Sequence, residues 1–124
     1  MKKIQIFLWI SGDNFINGGI KIIVPDLMLY ELSNALRYNK RFNGEDVKNA
    51  IKSIIDMDIE ILTPFSEAIN LSVEIAFKYN ATYYDAYYIA MAQVLNMDYV
   101  MADRRLFDKC KNDLLFVKLL KEFD

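Results

Sequence analysis

The sequence predicts an α/β domain built on a mostly parallel sheet. Short β-branched runs alternate with longer amphipathic segments, the pattern of βαβ units whose sheet is covered by helices on both faces. Hydrophobic residues make up 54% of the 124 residues and charged residues 26%, which suits a compact globule and excludes a disordered chain. No repeat, low-complexity tract or linker divides the chain, so residues 1–124 read as one domain.

The elements follow in order. "IKIIVPD" (20–26) is a β-branched run ended by proline, which predicts a strand over 20–24. "DLMLYELSNALRYN" then carries leucines at 27, 29, 32 and 36, with Asp26 placed to cap a helix. "NGEDVKNAIKSIIDM" (43–57) is a second helix, capped by Asn43 or Gly44, with Val47, Ile51, Ile54 and Ile55 as its inner face. "IEIL" (59–62) is a strand. Thr63-Pro64 opens a third helix, whose Ala68, Leu71, Ile75 and Phe77 repeat at helical spacing. A fourth helix starts at Thr82 with "TYYDAYYIAMA". "DYVMA" (98–102) is a strand, "DRRLFDKC" a short helix and "LLFVKLL" (114–120) a final strand.

The composition removes several chemistries. With no histidine, Ser-His and Cys-His nucleophile pairs and ordinary zinc hydrolase sites are excluded, leaving carboxylates, lysine and tyrosine for acid–base work. The one cysteine, Cys110, forms no intrachain disulfide and fits a reducing interior. A net charge of -2 gives no general affinity for phosphate backbones, so a nucleic acid needs a local site. "MKKIQIFLWIS" lacks the cleavage site of a signal peptide, and no segment approaches the roughly 20 apolar residues of a membrane span. The chain reads as soluble and cytoplasmic.

Three acids lie near strand exits, where open α/β sheets bind ligands. Glu31 is one turn into the helix after strand 20–24, on the face of Leu27, Met28 and Ala35. Asp103 follows strand 98–101, and Asp85 sits in the first turn of the helix before it. Each has a plainer explanation. Asp103 suits a helix N-cap, and Thr82-x-x-Asp85 suits a capping box. A carboxylate among so many apolar residues is costly without a partner, and several together suit a hard cation such as Mg²⁺ or Mn²⁺. Convergence of all three on one pocket distinguishes a site from caps.

The segments "IIVPDLMLYELSNALR" (22–37), "TYYDAYYIAMA" (82–92) and "DYVMADRRLF" (98–107) resemble the PIN domain family, and within it the VapC-like toxins, over roughly residue 13 to the end. The resemblance implies a three-layer α/β/α sandwich and a metal-dependent endoribonuclease, with Glu31, Asp85 and Asp103 as catalytic residues and ligands of Mg²⁺ or Mn²⁺. It also implies RNA as substrate, a cognate antitoxin and a homodimer, the last consistent with 14% aromatic residues. Arg104, Arg105, Arg37, Lys40 and Arg41 are candidates for a basic rim.

The chain departs from the family at its start. Family members open with a strand ending in a metal-binding aspartate, whereas residues 1–12 contain no acid. The first strand, helix and aspartate are read as missing. Asp13, in a turn-like "SGDN", is read as solvated rather than as a substitute. Met101 stands where the family often has threonine, which weakens orientation of the neighbouring acid. Either residues 2–10 replace the missing mid-sheet strand, or the sheet has a gap with sticky edges. The expectation is an impaired ribonuclease, favouring Mn²⁺ over Mg²⁺. The alternative is a non-catalytic remnant acting by dimerisation or by binding an antitoxin-like protein.

Overall fold

The computed structural model describes residues 22–120 and the backbone of residues 8–10. In chain order its elements are β1 (Leu8–Ile10), β2 (Ile22–Pro25), α1 (Leu27–Arg37), α2 (Gly44–Asp56), β3 (Ile59–Leu62), α3 (Ser66–Tyr79), α4 (Tyr83–Val94), β4 (Asp98–Met101), α5 (Arg104–Cys110) and β5 (Val117–Leu119). The sheet order is β3-β2-β1-β4-β5. β2 pairs parallel with β3, and β4 parallel with β5, while β1 is antiparallel to both β2 and β4. Four strands therefore run one way and β1 alone runs back between them.

The connections fix the layers. From β2 the chain crosses outward to β3 through α1 and α2. From β4 it crosses outward to the other edge, β5, through α5. Crossovers between parallel strands are right-handed, so these opposite directions put their helices on opposite faces. α3 and α4 return from β3 across to β4, in the direction of α5, and α3 packs on both. The result is an α/β/α sandwich with α1 and α2 on one side and α3, α4 and α5 on the other.

The core lies mainly on the second side. In α4 every residue from Ala86 to Ala92 is buried, as expected of a helix that is apolar all round. Against it stand Ile75 and Tyr79 of α3, Tyr99 and Met101 of β4, and Phe107 and Cys110 of α5. The Cys110 thiol, pushed up to about 11 by burial, donates to the Leu106 carbonyl and is an inert packing group. α1 and α2 contain no fully buried residue. Among the described residues, no helix is long and apolar enough to cross a membrane.

Several expectations need correction. The last strand covers only 117–119, because Asp113 and Leu114 donate to the Cys110 carbonyl and Val117 to that of Leu114, which spends residues 113–116 in turns. Phe77 is 86% exposed and Ile55 53% exposed; the buried face of α3 is instead Ala68, Ser72, Ile75 and Tyr79. α3 starts at Ser66, two residues after Pro64, and ends at Asn80, whose left-handed φ of 50° asparagine tolerates. Asp26 occupies the N-cap position of α1 but is already in helical conformation, and its side chain caps nothing.

Of the segment 2–10, the described part is the middle strand. Leu8 stands opposite Val100, and Ile10 opposite both Asp98 and Ile22. The amino end of β1 therefore lies with the carboxyl ends of β2 and β4, and the chain leaves β1 at the far end of the sheet. Asp13 and the rest of 11–21 lie outside the described residues, as do 1–7 and 121–124.

The capping difference is measurable. Asn43 Oδ1 accepts from Asp46 N at 2.9 Å while Asp46 Oδ2 accepts from Asn43 N at 2.9 Å, a complete capping box. Asn43→Ala should cost about 1 kcal/mol in urea unfolding. Asp26→Ala, which removes no cap bond, should stay within about 0.5 kcal/mol.

Candidate functional site

β2 hands the chain outward to one edge of the sheet and β4 to the other, so the topological switch point lies between them. Ligands bind at the carboxyl ends of such strands. α1, carrying Glu31, leaves β2 at that end, and Asp103 follows β4 there. Asp85 enters from α4. It lies in the first turn, where Thr82 Oγ1 accepts its backbone N–H at 3.1 Å. α4 thus begins on a polar cap and turns apolar one residue later, at Ala86.

One of the three acids is held by a residue of the helix that carries another. The Tyr88 hydroxyl donates to Glu31 Oε1, although Tyr88 is only 1% exposed and belongs to the layer opposite α1. The contact reaches round the end of the sheet. Tyr88 lies three residues after Asp85, on the same side of α4. Its ring stacks on Tyr99 of β4, with centroids 6.1 Å apart and planes 9° from parallel. Burial, then the hydrogen bond to Glu31, then the charges of Glu31 and Asp85 hold the Tyr88 hydroxyl protonated far above its ordinary range. Tyr99 is raised by burial first, then by Asp85, Tyr88 and Glu31. Both carboxylates act on the same two phenols.

Asp103 is engaged differently. Its Oδ1 accepts from Leu106 N at 3.2 Å and caps α5. Among the described residues, no three His, Cys, Asp or Glu side chains are grouped closely enough to hold a metal ion. On the basic rim, Arg104 Nε lies 3.6 Å from Asp108, and the Arg37 guanidinium lies over the Tyr38 ring at 5.2 Å. Arg105, Lys40 and Arg41 are exposed.

The residue that sequence reasoning missed is Tyr88. Amid four tyrosines it reads as core, and the signal available was its spacing from Asp85. Three residues put a hydroxyl and a carboxylate on one side of a buried helix.

Compared with models of known families, residues 9–112 match the PIN domain. No curated protein matches the chain.

The buried phenols predict an alkaline limit. Tyr79, whose hydroxyl donates to Asp113 at 3.1 Å, and Tyr87, Tyr88 and Tyr99 are all raised, chiefly by burial. The folded chain therefore holds these protons more tightly than the unfolded chain, where tyrosine ionises near 10. The stabilisation is complete below about pH 10 and falls as pH rises beyond it. Absorbance titration at tyrosinate wavelengths should show these four ionising together with loss of helical circular dichroism, not before it.

Proposed function

The chain belongs to the PIN domain family, whose members are generally nucleases that use divalent metal ions, and from that premise we propose that it is an RNA-directed domain of the VapC toxin type with an impaired ribonuclease site. The proposal assigns Glu31, Asp85 and Asp103 as the site's carboxylates. The observation that supports it most is the bond from the Tyr88 hydroxyl to Glu31 Oε1, with Asp85 one turn before Tyr88 on α4.

Impairment follows from the donor set. Asp103 spends an oxygen on the α5 cap, and residues 1–12 carry no Asp or Glu. β1 presents its amino end to the crevice, so its carboxyl end, where the resemblance places the first acid, lies at the other side of the sheet. As they stand, the described residues do not fit a divalent ion. Two carboxylates beside a phenol can accept a proton or orient a water or ribose hydroxyl. They leave the phosphate's own charge unneutralised, and electrostatic stabilisation of that charge is usually the largest share of catalysis.

A second reading, a remnant acting through protein contacts, is supported by α3. Ile69, Val73 and Phe77 recur every four residues and are all exposed, which makes an apolar stripe on the helix surface. We assign this stripe to a homodimer contact, and an antitoxin-like protein is the other candidate to cover it.

Two experiments test these readings. With Mg²⁺ or Mn²⁺ and a mixed RNA substrate, cleavage should be weak or undetectable, and any that remains should vanish in Asp85→Asn. Robust Mg²⁺-dependent cleavage lost in Asp85→Asn refutes impairment, and equal traces in both proteins come from a contaminant. In sedimentation velocity the wild-type chain should associate with rising concentration, and Phe77→Glu should raise the midpoint at least about tenfold, the cost of burying an unpaired charge.

A further inference from the structure

We propose that the solvent face of α1 and the turn that follows it form a binding track for single-stranded RNA leading to the Glu31 pocket. The inference rests on the RNA-directed reading above and adds where, and in which form, the strand is held.

The track is continuous. Tyr30, Glu31, Asn34, Arg37 and Tyr38 are the exposed positions from the middle of α1 to its C-cap. Glu31 and Tyr38 are seven residues apart, which places them on one side of the helix with a rise of about 10 Å. Beyond the cap the chain presents Lys40, Arg41 and Phe42, all exposed. Within six residues, 37–42, there are three cations and two aromatic rings.

The aromatics are displayed rather than packed. Tyr30 is 70% exposed, Tyr38 65% and Phe42 40%. The Arg37 guanidinium over Tyr38 makes a flat cationic platform of the kind on which bases stack. Next to it, Arg37, Phe42, Asn43, Gly44 and Val47 line a cleft of about 430 Å³. Its wall at Gly44 is open, since a Cβ there would meet nothing within 4 Å.

Charge supplies the complement. Among the described residues Arg37, Lys40 and Arg41 are in no ion pair, whereas the acids of the neighbouring turn are occupied. Glu45 bonds Lys48 Nζ at 3.4 Å, and Asp46 closes the α2 capping box. In a chain of net charge -2, this is a local anion-attracting surface. Stacking platforms with adjacent cations select strands whose base faces are accessible. An A-form duplex hides those faces, so the strand is single.

The test is fluorescence anisotropy of the whole chain with a labelled decameric RNA, single-stranded or as its duplex, in low salt with EDTA so that metal and cleavage play no part. The single strand should bind better than the duplex. Tyr38→Ala should weaken it about tenfold. Arg37→Ala should weaken it similarly and reduce the slope of log affinity on log salt by about 0.7. Lys78→Ala, on α3, should change neither. Circular dichroism should show both track variants folded, as expected of exposed positions. RNA binding unchanged by both substitutions overturns the track and leaves the RNA-directed reading standing. No RNA binding by the wild type overturns both. Preference for the duplex, or equal affinity for single-stranded DNA of the same sequence, overturns the stated ligand. If Tyr38→Ala alters the sedimentation of the free protein instead of its RNA affinity, the solvent face of α1 is a self-association face and the track is wrong.

Discussion

Tyr88 carries a hydroxyl into a position that water scarcely reaches, and a carboxylate from the opposite helical layer receives its proton. Leaving a buried hydroxyl unmatched costs about 1–3 kcal/mol, and a hydrogen bond to a charged acceptor returns about 1.5–3 kcal/mol. The bond therefore fixes the chain beyond its immediate neighbours. It ties α1, which has no fully buried residue of its own, to α4, which is buried over most of its length. It also fixes one carboxylate oxygen of the otherwise exposed Glu31 at the mouth of the crevice. The same group that makes the pocket polar makes the two layers meet there.

The reversed middle strand is the second constraint. An unfilled position between β2 and β4 would expose two strand edges at the centre of the molecule, each with unpaired backbone groups. Leu8–Ile10 fill it in the antiparallel sense. Antiparallel ladders are at least as stable per residue as parallel ones, so a reversed strand closes the middle of the sheet as well as a parallel one would. At the crevice the reversal has a consequence, because there β1 presents its amino end while β2 and β4 present their carboxyl ends.

How much of this was legible depended on what each residue answers to. The strands 59–62 and 98–101 and the capped starts at Asn43, Thr82 and Asp103 are local matters, written in β-branched runs and cap residues, and the structure has them where the sequence put them. Helix faces were less secure. Phe77 satisfies the spacing of an inner residue, yet the buried face of α3, which packs on α4, is Ala68, Ser72, Ile75 and Tyr79. The end of the chain failed for a different reason. "LLFVKLL" is strand-like throughout, but backbone bonds to Cys110 and Leu114 claim its first half before the ladder begins. The direction of β1 was not legible at all, since an apolar run of this length is the same read either way. Glu31 and Asp85 were singled out as carboxylates among apolar residues, whereas Tyr88, which donates to Glu31, was hidden by its resemblance to core.

Stability and binding are divided between the two faces of the sheet. The side of α3, α4 and α5 holds nearly all the buried residues, while α1 and α2 lie on the sheet by half-buried contacts and display their polar and aromatic residues outward. Surfaces that bind are drawn from regions of modest local stability, because a group held fully by its own core has nothing left to offer a ligand. Tyr38 and Arg37 satisfy that condition at the end of α1, and Glu31 satisfies it halfway, anchored at one oxygen by Tyr88. The anchored acid and the displayed platform share one helix about 10 Å long between them. Whatever strand lies on the platform is therefore presented to the pocket at a fixed distance, set by the pitch of α1 rather than by any loop.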